Sequence, residues 1–157
     1  MLIMIALLVI IAANIGLMVW QNQRQPELGL KDGQLLPLSP KPNAVSSLAL
    51  DPKQLVDPLP VAASPVQSWQ ALELAVARFG GASLISQQPD YRHYVFRTPK
   101  LGFRDDLEFH LSDEQIHVRS ASRVGHSDLG VNRKRVEQLR QYYLQALASP
   151  KVLESQP

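Results

Sequence analysis

The chain has 157 residues, and at roughly 150 residues per domain it has room for one globular domain but not for a large multidomain enzyme. Sixteen Lys and Arg against 14 Asp and Glu leave a net charge of +2, too small a balance to mark a nucleic-acid binder. The absence of cysteine excludes disulfides, zinc-thiolate sites and thiol catalysis. Of the first 20 residues, 18 are apolar, and none from Met1 to Trp20 carries a charged side chain. Twenty helical residues at ~1.5 Å each cross the ~30 Å hydrocarbon layer. The segment lacks a basic start, is longer than a signal-peptide core and has no small-x-small cleavage site after it, so a retained anchor is expected over 1–20 rather than a cleaved signal. Trp20 takes the place of an interfacial aromatic, and Gln21, Asn22, Gln23 and Arg24 end the segment. A single-pass protein of the cell membrane is the expectation. Arg24, Lys31 and Lys41 tip the domain weakly towards the cytoplasm, too few charges to decide the side.

Residues 21–33 read as a juxtamembrane linker and 34–150 as one α+β domain, with 151–157 as a tail. Eight of the 12 prolines fall in residues 26–65, without helical or strand period, which predicts an extended course with polyproline character. Its leucines and valines are too apolar for a free tether, so part of it should wrap onto the domain. A helix then starts at Ser64 as N-cap, with Pro65 in the first turn and Gln67 at the capping-box position. Val66, Trp69, Leu72, Val76 and Phe79 form its apolar stripe, and Gly80-Gly81 ends it.

Period two follows, predicting four antiparallel strands near 82–88, 91–98, 105–111 and 115–124. A tight turn at Asp113-Glu114 sets a register in which Leu111 faces Ile116 and Phe109 faces Val118, while Glu108 meets Arg119 on the opposite face. That charge pair supports the register at ~0.2–1 kcal/mol. A last helix over Asn132 to Ala148 carries Val136, Leu139, Tyr143 and Leu147 on one face. The simplest packing places both helices on one face of a four-stranded sheet and leaves the face with His110, His117 and Arg119 open to solvent or a partner.

The chemistry concentrates between 115 and 140, where six basic and two acidic side chains give a local +4. Arg133, Lys134 and Arg135 at a helix start oppose the macrodipole. Two compensations are open. Asp128 beside the helix start and an Arg133 to Glu137 pair would make the segment structural. Alternatively an anion sits where Arg119, Ser120, Ser122, Arg123, Ser127, Asp128, Asn132, Arg133 and Arg135 converge, among loop amides freed by Gly125 and Gly130. Those nine residues are the candidate ligand-binding set. His93, His110 and His117 can share a sheet face near Asp106 and Glu108, but exposed strand histidines without helical two-ligand spacing carry little weight as a metal site, and no metal or cofactor is expected. Ser127, His126 and Asp128 are sequence neighbours that cannot orient one another as a catalytic triad, and no Gly-x-Ser-x-Gly elbow is present.

At these positions Arg119-Ser120-x-Ser122-Arg123-x-Gly125-x-Ser127-Asp128-x-Gly130-x-Asn132-Arg133-x-Arg135-x-Glu137-x-Leu139 resembles the C-terminal signature of the uncharacterised proteins grouped as domain of unknown function 1499. Asp105 to Phe109 is similar to that family's acidic strand and Asn43 to Ser47 to its N-terminal motif, so the likeness spans about 34–145. It implies that the Pro-rich stretch belongs to the domain. It also implies cysteines near positions that here hold Leu38 and Ala44, which suits an extracytoplasmic setting in relatives but leaves this chain no thiol role. No activity follows from the resemblance. The expectation is a membrane-anchored binding or interaction module for an anionic ligand or lipid headgroup. The alternatives are a hydrolase on a phosphorylated or acidic substrate, with Arg123, Arg133 or Arg135 stabilising charge and His126 or Asp128 moving protons, or an accessory subunit bound to a membrane protein. Enzyme status stays open, leaning against.

Overall fold

A computed structural model describes residues 1–99, 101–112 and 115–149; the turn expected at 113–114 and the tail at 151–157 lie outside them. The first helix, α1, runs Leu2–Gln23 and is long and apolar enough to cross a membrane. It is followed by two-residue strands β1 (Leu30–Lys31) and β2 (Gln34–Leu35), then β3 (Ala44–Ser46) and β4 (Leu59–Pro60). Next come α2 (Pro65–Phe79), β5 (Ala82–Gln87), β6 (Tyr91–Arg97), β7 (Arg104–Leu111), β8 (Gln115–Ser122) and α3 (Val131–Leu147).

Helix α2 starts as its residues dictate, with the Ser64 hydroxyl accepting from the Gln67 amide at 3.2 Å and Pro65 following. It stops at Gly80 and Gly81, both at φ 76°, where a side chain would be strained. Trp69, Leu72 and Val76 are buried in the core, whereas Val66, expected on the same stripe, is exposed. In α3, Val136, Leu139 and Tyr143 are buried and Leu147 packs partly against them.

The α+β class holds, but the main sheet has six strands rather than four. Strands β5 to β8 pair antiparallel in chain order, and β3 and β4 both pair along the free edge of β8. The extra two come from the Pro-rich stretch, whose extended backbone needs only two or three residues to satisfy an edge, too few to show alternation. Between β7 and β8 the expected register is observed, with Leu111 opposite Ile116, Phe109 opposite Val118 and Glu108 opposite Arg119. Tyr94, Leu107, Phe109, Ile116 and Val118 close the core against α2 and α3.

The second sheet face is not open, contrary to the simple packing. Gly29 donates its amide to Glu108 at 2.8 Å, and the β1–β2 hairpin is laid across β7 and β8 with Leu35 buried. Its loop is Asp32-Gly33, with φ of 53° and 74°, the positive pair a two-residue hairpin requires. Burying Glu108 and Asp106 is tolerable only because each meets a cation there.

Candidate functional site

The arginines, Asn132, Asp128 and the serines of the basic segment are bonded to other groups of the fold. On the covered face, Arg119 donates to Glu108 at 2.7 Å, and the Tyr91 hydroxyl donates to the same carboxylate at 2.8 Å. Arg123 grips Asp106 with two bonds of 2.8 and 2.7 Å, and His93 lies 2.9 Å from the same carboxylate. Burial alone would raise the Asp106 carboxyl, but the Arg123 and His93 hydrogen bonds outweigh it and hold the group below the usual value. Burial, with Glu108 beside it, pushes the Tyr91 phenol up, so it stays a donor.

On the helix face, Arg135 reaches from α3 to Asp105 at the start of β7 at 2.5 Å and stacks over Phe96 at 4.6 Å. Asn132 is fully buried as a hub: it accepts from the Ser120 hydroxyl and from Arg135, and donates to the Asn43 carbonyl, the Ser122 hydroxyl and Asp128. Asp128 also accepts the amides of Gly130 and Asn132, so it supplies the negative charge that the helix start calls for. Arg133 donates to the carbonyls of Lys53 and Leu55 and lies 3.9 Å from Glu137. Ser127 accepts from the Leu129 amide at 3.2 Å.

All nine candidate residues therefore fall in one region, split between two faces of the sheet and the α3 start, with their side chains turned to internal partners. Serine, aspartate and His126 do not assemble as a triad: Ser127 and Asp128 bond the loop backbone, and His126 is exposed. Alternation does bring the three strand histidines to one face. His110 and His117 stack at 6.3 Å while His93 is taken by Asp106, and among the described residues no three His, Asp or Glu are grouped to hold a metal ion.

What the residue pattern did not reveal is the junction with α1. Asn22 accepts from the Arg104 amide at 2.8 Å and donates to the Gly102 carbonyl at 2.9 Å. One turn earlier Met18 forms a wall of an apolar hollow of about 270 Å³ with Phe103, Val124, Leu129 and Val131. Arg24 stacks on Trp20 at 5.3 Å. Leu129 is 88% exposed at φ 55°, a left-handed conformation that a bulky residue adopts only when its surroundings impose it. The Ser127 and Asp128 bonds to the next amides are what impose it, and they aim Leu129 outward beside α1.

No curated protein matches the chain. The family described as protein of unknown function, DUF1499, matches residues 34–142, which takes in the strands β2 to β4, the sheet and most of α3; the chain belongs to that family.

Proposed function

We propose that the protein is a single-pass membrane protein whose domain is clamped against the bilayer as a binding module for anionic lipid headgroups. The observation that carries this reading is the pair of Asn22 hydrogen bonds to Gly102 and Arg104. A cleaved signal would leave no role for them. With α1 retained, they fix the β6–β7 turn at the depth of its last turn, near Trp20, and the β8–α3 loop lines the hollow beside Met18. The basic residues near this level are Arg24 at the helix end, Arg104, which donates to the Gln23 carbonyl, and the exposed Arg97 beside Gly102, with the exposed Lys134 in the adjoining groove. A cation near an anionic leaflet contributes ~1 kcal/mol, so a few of them bias the surface towards anionic lipid. The arginines first expected to bind an anion contribute differently, by building the loop that presents these groups.

The hydrolase alternative gains no support from the geometry, since Arg123 and Arg135 are buried in ion pairs and the exposed His126 has no partner among the described residues to orient it.

The natural absence of cysteine makes the test clean. Nitroxides are placed by Leu129→Cys and, at the far end of β5, by Gln87→Cys in the full chain reconstituted into phosphatidylglycerol-containing nanodiscs. Greater collision with oxygen than with a water-soluble nickel complex is expected at 129 and the reverse at 87. Equal aqueous exposure at both sites would overturn the reading.

A further inference from the structure

The hollow beside Met18 does not end at the anchor. Thr98 and Val131 line it and also line an adjoining groove of about 490 Å³, whose apolar wall is Phe79, Phe96 and Pro99. Together they fall within the ~300–1,000 Å³ of small-molecule sites. One end opens at a membrane-spanning helix, and the other carries two exposed cations, Arg97 and Lys134. Arg97 lies over the same turn that Asn22 holds, its guanidinium 3.4 Å from where a Gly102 side chain would begin. Of the carboxylates in these walls, Asp105 is neutralised by Arg135, and Asp128, bonded by the amides of Gly130 and Asn132, lines the Met18 end rather than the groove of the two cations.

We propose that this continuous hollow takes one acyl chain of an anionic phospholipid, with Arg97 and Lys134 holding its phosphate. The inference rests on the bilayer-docked reading above. A lipid is the occupant that fits because the hollow is continuous with the hydrocarbon through Met18. With its phosphate at Arg97 and Lys134, the lipid's acyl chain runs back past Phe96 and Val131 to Met18 and the hydrocarbon, in apolar surroundings throughout and with little exposed surface. Leu129, 88% exposed, lines the Met18 end of the hollow, and Leu101, 71% exposed, precedes the Gly102 that Asn22 holds; lipid contact removes both from water. The cations then meet the headgroup at the interface, where charge-assisted bonds to phosphate are strong.

The test uses the full chain in nanodiscs of equal phosphatidylcholine and phosphatidylglycerol, released into native mass spectrometry. One retained phospholipid per chain is expected, with phosphatidylglycerol favoured about tenfold. Arg97→Ser/Lys134→Ser should keep a retained lipid but lose that preference. Val131→Trp, at a half-exposed position where folding is tolerant, should fill the hollow and lower retention of both lipids at least tenfold. Retention unchanged in Val131→Trp, or no retained lipid on the unaltered chain, would overturn the proposal. The nitroxide at 129 in the same nanodiscs separates the two ideas: a deep label with no retained lipid sinks the acyl site alone, and a shallow label sinks both.

Discussion

Arg135 on the first turns of α3 lies 2.5 Å from Asp105 at the start of β7, and both side chains are more than nine-tenths buried. The pair joins the C-terminal part of the domain's most basic segment to its most acidic strand. It also stands against Phe96, so desolvation is severe on both sides. Breaking such a pair strands a charge in the interior at about 3–5 kcal/mol, whereas an apolar pair of like volume is close to neutral. Arg135→Met alone and Asp105→Leu alone should each lower the urea stability of the full chain in detergent by about that amount. The double variant should recover most of it. Equal and additive losses would show that packing, not charge, sets the cost.

Asn132 offers the complementary case, a neutral hub. Its amide connects the Asn43 carbonyl, Ser120, Ser122 and Asp128, so Asn132→Leu leaves several buried groups without partners at ~1–3 kcal/mol each. Arg133→Ala, one residue on, removes two surface bonds to carbonyls and a loose pair with Glu137, and should cost below about 1 kcal/mol. Thermal unfolding of the two variants side by side checks the contrast. Comparable losses would remove the hub from the account.

These two neighbours show what the residue pattern carries. Alternation placed Leu107, Phe109, Ile116 and Val118 correctly because one buried face forces a period of two, and the Glu108 to Arg119 pair then followed from register. The same alternation puts Asp105 on the core side of β7, where a carboxylate demands a cation, yet which of Arg123, Arg133 and Arg135 answers it depends on how α3 crosses the sheet. Asp32-Gly33 between Leu30 and Leu35 is a strong hairpin signal, but arms of two residues show no period, and a hairpin's docking on a polar face leaves no apolar trace. That is why the face with His110, His117 and Arg119 read as open. Asn22 was legible only as the polar end of an apolar run, since its partners are backbone groups of Gly102 and Arg104.

Acid should weaken the fold in two steps. His117 is held below its ordinary value of 6.5 by burial and by the neighbouring His110. Protonation is therefore easier in the unfolded chain, and stability present above about pH 6.5 is lost as pH falls below it. Other charged groups facing the pair are Asp90, 3.9 Å from His110, and the Arg119 and Glu108 pair. Asp106 is held below 3.8, so its share is present above about pH 4 and is lost as pH falls through its folded value. Urea midpoints measured from pH 8 to 3 should fall twice. His117→Gln should remove the upper step only, and an unaltered upper step in that variant would assign it to another group.

Leu129 sets stability against membrane contact. A leucine at φ 55° costs ~1–2 kcal/mol relative to its usual region, and its side chain gains nothing from the domain at 88% exposure. Glycine adopts the same backbone freely, although its greater freedom when unfolded returns part of the gain. Leu129→Gly should therefore leave the thermal midpoint of the full chain unchanged or raised by a few degrees. In nanodiscs the same substitution should move a nitroxide placed by Leu101→Cys towards water, because one of the two apolar contacts beside α1 is gone. A lowered midpoint with an unmoved label would make Leu129 a packing residue, and the strained turn built by Ser127 and Asp128 would then have no membrane role.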